Sequence, residues 1–274
     1  MTRFQLPRSP ERIVCLTEET TELLYLLGEE ERIVGISAYT ERPARAKAEK
    51  PVVSAFIGGS VKKIAALKPD VIIGFSDIQA DLARELIKAN LPVAIFNQRS
   101  LQEILEVMVM VGTLVDRRTE VLELVGGYIA RLEAARQRSA AAKRRPRVYF
   151  EEWDEPRITA IQWVSELVEL AGGQNIFGEK AAGKLAKERF VDDAAIIEAN
   201  PELILASWCG KPVDKESIRA RPGYAELEAI KHDRIIELDP AIILQPGPAC
   251  LSAGLDALEA AIRPLAEDGP ATTP

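Results

Sequence analysis

The sequence predicts an α/β protein with two Rossmann-like lobes, joined by a long rigid α-helix and with a ligand cleft between the lobes. Three observations support this prediction: a helix–turn–strand unit that occurs twice, an alternation of short apolar strands with helices, and a long proline-free helical stretch between the two copies. The alternation is typical of doubly wound parallel sheets. We expect an N-terminal lobe over residues 1–115, a connecting helix over 116–145, a C-terminal lobe over 146–266 and a frayed tail over 267–274.

The two copies of the repeated unit begin at Ser60 and Asp192. Both residues are predicted N-caps, whose side-chain oxygens accept a hydrogen bond from the first helical turn. Pro69 and Pro201 end the two helices, because a proline keeps the residue before it out of the α region. An acidic residue and a continuous apolar run follow each proline, which is typical of a strand buried on both faces of a parallel sheet.

Local signals predict the other elements of the N-terminal lobe. Thr21 is predicted to cap a helix that Gly28 closes, because threonine favours N-caps and glycine favours the position after a helix. Apolar runs and helical spacing predict the remaining segments, which are strands over residues 12–16, 32–36 and 93–96 and helices over 22–27 and 79–89.

Residues 101–145 contain no proline and are rich in Ala, Leu, Glu and Arg. We expect two consecutive helices here, bent or separated at Gly112 or at Gly126-Gly127. The second, from Asp116 to Ala142, would be about 40 Å long from the helical rise of ~1.5 Å per residue. The rest of the C-terminal lobe is predicted to contain strands over residues 147–150 and 234–238 and helices over 165–170 and 249–265.

The composition excludes several classes of protein. A net charge of −7 and a pI of about 5.1 argue against a nucleic-acid partner, because phosphate binding needs clustered Lys and Arg. No apolar run is long enough to span a membrane, and residues 1–8 lack the apolar stretch of a signal peptide. We expect a cytoplasmic protein as written, or a periplasmic or lipid-anchored one if a leader was removed.

The cysteines and the histidine predict neither a disulfide framework nor a metal site. Cys15, Cys209 and Cys250 are odd in number and widely spaced. His232 is the only histidine and lies in a polar turn, so zinc ligation lacks partners. The sequence also contains no nucleophile elbow and no Walker A loop. We therefore expect no catalytic residue and no bound metal.

Ligand contacts are expected beyond the carboxyl ends of the strands, where open α/β sheets bind their ligands. Aromatic residues are only 5% of the chain, yet Trp153 and Trp208 both fall in these loops. Large flat side chains beside polar groups are typical of a site for a bulky, partly apolar ligand. The selected loops are residues 17–19, 39–41, 75–77 and 97–99 in the first lobe, and 151–154, 207–210 and 239–241 in the second.

Acidic residues are frequent in the same loops, with Glu18, Glu19 and Glu41 in the first lobe and Glu151 and Glu152 in the second. Paired carboxylates perform acid–base chemistry or bind a hard cation through oxygen. If they face the cleft, they disfavour an anionic ligand and favour a neutral or cationic one.

Several short motifs, in this order and spacing, resemble the substrate-binding proteins of cobalamin and ferric-siderophore importers. The resemblance covers residues 12–265, and the cobalamin branch is the most similar through Gly35-Ile36-Ser37-Ala38-Tyr39, Phe56 and Trp153. The motifs are Ile13-Val14-Cys15-Leu16-Thr17, Val34-Gly35-Ile36-Ser37, Leu67-Lys68-Pro69-Asp70-Val71-Ile72, Ala171-Gly172-Gly173-Gln174-Asn175-Ile176-Phe177 and Pro246-Gly247-Pro248.

The resemblance implies a corrinoid, cobalamin or cobinamide, bound between lobes that move little because the long helix is a stiff hinge. It implies no cofactor beyond this ligand. Together with strand-end position, it selects twelve candidate ligand-binding residues: Glu18, Glu19, Tyr39, Phe56, Phe75, Glu151, Glu152, Trp153, Trp163, Phe190, Trp208 and Gln245.

Three departures from the family pattern bear on partner and ligand. Docking members of the family carry a surface glutamate on each lobe that meets permease arginines, whereas this chain has Lys62 and Ala194 there. A lysine facing an arginine repels it, which disfavours docking to such a permease. Glu18-Glu19 replaces a common Pro-Ser, and Ala249 replaces a common arginine, which disfavours anionic ferric siderophores.

The leading hypothesis is a monomeric, non-catalytic corrinoid-binding protein, either the substrate-binding component of an ABC importer or a leaderless cytoplasmic relative. One alternative is a binder of a ferric-siderophore or haem-like chelate, for which Tyr39 is the candidate iron ligand. Another is an enzyme that uses the cleft carboxylates, Glu151 and Glu152, on a bound cofactor.

Overall fold

The computed structural model describes residues 8–267 and divides the chain into two compact α/β units. Unit 1 comprises residues up to 98 together with 102–127, and unit 2 comprises 99–101 together with 128 onwards. The boundary falls inside one continuous helix, Arg118–Ala140. Two α/β units confirm the predicted fold class. Residues 268–274 of the predicted tail lie outside the described residues.

Unit 1 is built on a five-stranded parallel sheet. Its strands are β1 Ile13–Cys15, β2 Ile33–Ser37, β3 Val52–Ser54, β4 Val71–Phe75 and β5 Val93–Phe96. They lie in the order β3-β2-β1-β4-β5, which places β1 at the centre. The helices of this half of the chain are α1 Glu18–Leu26, α2 Ala46–Glu49, α3 Val61–Ala66, α4 Ala80–Lys88, α5 Leu101–Leu114 and α6 Arg118–Ala140.

Unit 2 is built on a mixed sheet. Its strands are β6 Arg147–Asp154, β7 Arg157–Thr159, β8 Gln174–Asn175, β9 Leu203–Ala206 and β10 Ile235–Glu237. They lie in the order β10-β9-β6-β7, with β8 also on β6, and only the β6–β7 pair is antiparallel. Its helices are α7 Gln162–Leu170, α8 Asp193–Ala199, α9 Lys215–Arg219, α10 Glu228–Lys231, α11 Pro240–Ile243 and α12 Leu255–Glu267.

The repeated unit is confirmed at the start of its helix in both copies. The Ser60 side chain accepts a hydrogen bond of 3.2 Å from the backbone N–H of Lys63, and Asp192 accepts one of 2.8 Å from Ala195. Each cap satisfies one of the backbone donors that a helix N-terminus leaves without a partner.

The end of the repeated unit is also the same in both copies. Lys68 and Asn200, the residues before the two prolines, have φ angles of +49° and +42°. These left-handed conformations end each helix where the prolines predict it.

An acid and an arginine then hold the start of a central strand through hydrogen bonds. Asp70 accepts hydrogen bonds from the backbone N–H groups of Glu11 and Arg12, at 2.8 and 2.9 Å. The guanidinium of Arg12 donates to the carbonyl of Leu67 at 2.9 and 2.7 Å.

The second copy repeats this arrangement in unit 2. Glu202 accepts from the backbone N–H of Arg147 at 3.0 Å, and the guanidinium of Arg147 donates to the carbonyl of Asn200 at 2.9 Å. The acid after each proline therefore joins the repeated unit to β1 in unit 1 and to β6 in unit 2.

Two expectations about local structure are wrong, and two short strands were missed. Thr21 lies inside α1, which begins at Glu18 after the N-cap Thr17, because acidic residues are favourable in a first helical turn. Gly112, Gly126 and Gly127 lie inside α5 and α6, and the chain turns at Asp116, whose φ is +60°. A Cβ at Gly112 would lie 2.5 Å from Val121, so this glycine lets two helices approach closely. The short strands β3 and β7 were not predicted.

Candidate functional site

Gln79 ties together the strand ends of unit 1. This fully buried side chain donates to the carbonyls of Leu16 and Phe56, at 3.3 and 3.0 Å, and accepts from the backbone N–H of Phe75 at 3.0 Å. A Cβ at Gly74 would lie 2.5 Å from Gln79 Oε1, so only glycine fits beneath this amide. Sequence reasoning missed Gln79, although it fixes the loops in which ligand contacts were expected.

Two predicted aromatic contacts of unit 1 reach its surface. Tyr39 is 47% exposed and meets Phe56 edge to face, with ring centroids 6.2 Å apart. Such a pair contributes about 0.5–1.5 kcal/mol beyond the area that it buries. Phe75, at the end of β4, is buried. Of the predicted aromatic contacts of unit 1, Tyr39 and Phe56 are therefore the two that are accessible to a ligand.

Glu18 and Glu19 are almost fully buried in the first turn of α1. Glu18 accepts a hydrogen bond of 2.8 Å from the backbone N–H of Glu41, and Glu19 accepts one of 2.6 Å from the hydroxyl of Thr17. Within residues 8–267, no group hydrogen-bonds to Glu18 Oε1 or Glu19 Oε2.

Burial raises the pKa of Glu18 to about 8 and that of Glu19 to about 7, and the nearby carboxylate of Glu22 adds to both shifts. Glu18 is therefore predominantly protonated at neutral pH. The expectation that this pair makes the site strongly negative is corrected by the burial of both side chains.

An exposed apolar row crosses unit 2. Trp153 on β6 lies opposite Ile158 on β7, and Ile158 lies opposite Phe190 in an isolated antiparallel bridge. Directly opposite residues share one face of a sheet, with Cβ atoms roughly 5 Å apart. Phe190 is 41% exposed, the other two are half-buried, and the Trp153 indole N–H donates to the carbonyl of Glu155 at 3.0 Å. We call Trp153, Ile158 and Phe190 the apolar row.

Lys211 covers one end of the apolar row. Its Nζ lies 4.5 Å from the ring centroid of Trp153 and 4.7 Å from that of Trp208. The same ammonium group pairs with both carboxylate oxygens of Asp154, at 2.7 and 2.8 Å. Trp208 is only 2% exposed, and its indole N–H donates to Glu151 at 3.2 Å. Sequence reasoning missed Lys211, which directly follows the selected loop 207–210.

The acidic pair of unit 2 is compensated by arginines. Glu151 is fully buried, binds both terminal nitrogens of Arg221 at 2.5 and 2.9 Å, and accepts from the Tyr149 hydroxyl at 3.1 Å. Burial acts to lower the pKa of Arg221, but its hydrogen bonds with Glu151 raise that pKa overall. Glu152 binds Arg189 at 2.9 Å. The expected negative charge of this loop is therefore corrected, because each carboxylate has a cationic partner.

Two candidate residues, Trp163 and Gln245, are not part of the apolar row. Trp163 is buried in α7 and donates its indole N–H to the carbonyl of Ile243 at 3.0 Å. Gln245 is half-buried after α11, and its carbonyl accepts from the backbone N–H of Gly247 at 2.9 Å. Ligand contact stays a prediction for all twelve residues.

The described part of the chain contains neither a metal-binding cluster nor a membrane-spanning helix. Between residues 8 and 267, no three or more His, Cys, Asp or Glu side chains are arranged to hold a metal ion. In the same range, no helix combines the length and the apolarity needed to cross a membrane.

Two α/β units with aromatic residues at the carboxyl ends of their strands define the class of two-lobed solute-binding proteins. The chain belongs to the periplasmic binding protein family, whose model matches residues 13–242. This is a family of non-catalytic solute-binding proteins of ABC importers, which bind a small molecule and deliver it to a permease.

Two relatives are similar in sequence to this protein over most of its length. A substrate-binding lipoprotein of an ABC transporter from Bacillus subtilis, YvrC, is 24% identical over 94% of this chain and 82% of its own. A vitamin B12-binding protein from Yersinia pseudotuberculosis is 24% identical over 89% of this chain and 86% of its own.

Solved structures share the fold. The periplasmic vitamin B12-binding protein BtuF of Vibrio cholerae has a TM-score of 0.76 at 23% identity, covering 96% of this chain and 100% of its own. The periplasmic haem-binding protein RhuT of Roseiflexus has a TM-score of 0.76 at 24% identity, covering 92% and 98%. YvrC is named as a lipoprotein, and BtuF and RhuT are named as periplasmic proteins, so these relatives give the expectation of a cytoplasmic protein no support.

Proposed function

We propose that this chain binds a corrinoid without catalysis and delivers it to an ABC permease. The observation that carries the proposal is the apolar row, a partly exposed apolar surface at the carboxyl end of β6. Flat apolar surfaces with a few polar groups are typical of sites for large ring ligands. Relatives that are named vitamin B12-binding proteins support the same ligand class.

The charges of both units favour a ligand without strong net charge. Glu18 is protonated at neutral pH, and Glu151 and Glu152 are paired with arginines. A corrinoid carries neutral carboxamide groups around its ring, so it needs neither a strongly anionic nor a strongly cationic surface. Glu151 and Glu152, the acids of the enzyme alternative, are both held in ion pairs with arginines, which makes that alternative the weaker hypothesis.

The proposal is tested by titrating the protein with hydroxocobalamin and dicyanocobinamide in a calorimeter. We expect saturable binding to the wild type and an affinity loss of about 1–3 kcal/mol in both Trp153→Ala and Phe190→Ala, as for buried aromatic anchors. Ile129→Ala is the control, because Ile129 is a similarly exposed apolar residue of unit 2 on α6. Unchanged affinity in both row variants would contradict this site, and no binding at all would contradict the ligand class.

Haem is the second candidate, because structural neighbours are named haem-binding proteins and Tyr39 presents an exposed phenol. Of the other tyrosines, Tyr149 and Tyr224 are buried, the Tyr25 hydroxyl donates to Glu49 at 2.7 Å, and Tyr128 lies half-buried on α6 rather than at a strand end. Titration with hemin would show a tyrosinate-ligated spectrum that Tyr39→Phe abolishes. A hemin spectrum that does not change in Tyr39→Phe would exclude this mode of iron ligation.

The proposed partner is an ABC permease that meets the first turns of α3 and α8. Lys62 and Ala194 lie exposed in these turns, at the positions where the family resemblance implies glutamates. We expect this permease to present a surface that tolerates Lys62, and Lys62→Glu to weaken co-purification of the two proteins. Stronger co-purification of the variant would indicate the usual arginine contact instead.

A further inference from the structure

Lys211 lies on a short loop that is held at both ends to the sheet of unit 2. At its start, the backbone N–H of Ser207 donates to the carbonyl of Glu151 at 2.9 Å. At its end, the backbone N–H of Val213 donates to Glu237 at 2.9 Å. Between them Gly210 has a φ of +87°, a left-handed conformation that favours glycine. The loop therefore has a defined path that brings Lys211 back over β6.

Three groups hold the Lys211 ammonium in place. A lysine within about 6 Å of an indole centroid is attracted by the ring, and here both Trp153 and Trp208 are within 5 Å. The third group is Asp154, whose side chain is mostly buried. Burial acts to raise the pKa of Asp154, but its hydrogen bond with Lys211 holds that pKa below the usual value. Asp154 is thus ionised at neutral pH.

This arrangement occupies the surface that a flat ligand would use. A ring that lies along the apolar row reaches Trp153, and at that end it meets the Lys211 side chain on the indole. We propose that Lys211 limits the affinity of the site by competing with the ligand for the Trp153 ring. This inference rests on the proposed corrinoid function. The ligand contacts the Trp153 ring only if it displaces the Lys211 ammonium. Asp154 can then accept hydrogen bonds from ligand groups such as carboxamides.

The test compares Lys211→Ala with wild type in titrations with dicyanocobinamide. Removal of the competing side chain is expected to raise the affinity about five- to thirty-fold, from two cation–π contacts and one partly buried ion pair. Lys211→Arg, which keeps a cation over the rings, is expected to stay near wild type. Lys231→Ala is the matched control, because Lys231 precedes β10 and therefore lies at the opposite strand ends. Lower or unchanged affinity in Lys211→Ala overturns the proposal, and lower affinity would make Lys211 a ligand contact.

A second measurement needs no ligand. Acrylamide quenching of tryptophan fluorescence is expected to increase in Lys211→Ala, because Trp208 is 2% exposed beneath Lys211 in the wild type. Unchanged quenching overturns the covering contact itself. If quenching increases but neither protein binds cobinamide, the contact between Lys211 and Trp208 is supported. The corrinoid function and the proposed competition for Trp153 are then both overturned.

Discussion

The two units begin their central strands in the same way but differ at the acidic pairs near the carboxyl ends of their sheets, Glu18-Glu19 and Glu151-Glu152. In both, an acid after a proline and an arginine at the strand start join the repeated helix to the sheet, through Asp70 with Arg12 and Glu202 with Arg147. At the other end of the sheets the units differ. Among the described residues 8–267, no arginine or lysine hydrogen-bonds to the buried Glu18 of unit 1, whereas each acid of the unit 2 pair binds an arginine.

This difference teaches that the charge of a site follows from the partners of its acids and not from their number. A buried carboxyl group without a cation raises its pKa and holds a proton. A buried carboxyl group beside an arginine stays ionised, but the pair has no net charge. Below about pH 7, neither acid cluster gives its unit the fixed negative charge that the sequence indicates. The sequence-based argument against an anionic ligand depended on the negative charge of these acids, and it is therefore weakened.

Removing an arginine from unit 2 is the largest change that this comparison predicts. Arg221→Met leaves Glu151 fully buried without its cation, and we expect a loss of about 3–5 kcal/mol in the free energy of unfolding. Urea unfolding followed by tryptophan fluorescence measures this directly, because Trp153, Trp163 and Trp208 all lie in unit 2.

The control is an exposed ion pair of α6 in the same unit. Arg136 pairs with Glu133 at 2.7 Å, and both side chains are exposed. Arg136→Met is expected to leave the free energy of unfolding nearly unchanged, because exposed pairs are screened by solvent. The double variant Glu151→Gln/Arg221→Met should recover part of the loss, since it removes the unpaired charge. Equal costs for Arg221→Met and Arg136→Met would show that unit 2 does not need its buried pair.

The stability of unit 1 is expected to fall as the pH rises. Glu18 has a pKa of about 8 in the folded protein, against about 4.5 when exposed, so the folded state holds a proton that the unfolded state releases. Stability is then complete below about pH 4.5 and falls as pH rises towards 8, by about 2–4 kcal/mol for this group. Glu18→Gln should remove this loss, which thermal melting by far-UV circular dichroism at pH 5, 7 and 9 would detect.

Glu85→Gln is the control for the pH measurement. Glu85 is exposed on α4, and its hydrogen bond with Lys88 lowers its pKa, so it is charged throughout this range. Its replacement should change the melting temperature by the same small amount at pH 7 and 9. A wild-type melting temperature that is constant from pH 5 to 9 would show that Glu18 is solvated or paired in solution.

The same contrast explains which parts of the structure could be predicted from sequence. Caps, prolines and apolar runs are local signals, and they predicted the repeated units, β5 and the parallel sheet of unit 1. The strand β6 was predicted to end at Phe150, but it continues to Asp154 and places Glu151 inside the sheet. Its partner Arg221 is 70 residues further along the chain, a pairing that no local pattern indicates.

The missed elements have similar causes. Strand β7 has only three residues after a proline, and it forms because β6 offers it an edge. Gln79 bonds to Leu16, Phe56 and Phe75, and Lys211 contacts β6 at Trp153 and Asp154 as well as Trp208. Most of these contacts are distant along the chain, so local spacing gives little signal for either residue. The aromatic candidates were predictable by position because parallel strands end at one edge. Their exposure, from 2% for Trp208 to 47% for Tyr39, depends on packing that the sequence alone does not show.

A smaller loss is expected when the strand ends of unit 1 lose their shared partner. Gln79→Leu leaves the backbone N–H of Phe75 and the carbonyls of Leu16 and Phe56 without this amide, at a cost of about 1–3 kcal/mol. Hydrogen exchange at the Phe75 amide should accelerate. Gln102→Leu is the control, because Gln102 is exposed on α5 and bonds only Glu106 among the contacts described. Equal exchange in the two variants would mean that Gln79 does not order this edge.

The smallest effect concerns the feature that both units share. Ser60→Ala and Asp192→Ala each remove one N-cap, and we expect each to cost about 1 kcal/mol. Asp192 is charged whereas Ser60 is neutral, so the helix dipole should add about 0.3–1 kcal/mol to the cost of Asp192→Ala. Chemical unfolding at low and high ionic strength separates the two contributions, because salt screens the interaction of the Asp192 charge with the helix dipole and leaves the cap hydrogen bond. If the costs are still unequal at high ionic strength, the two caps differ by more than charge, and the repeat is a duplication of sequence pattern rather than of energetics.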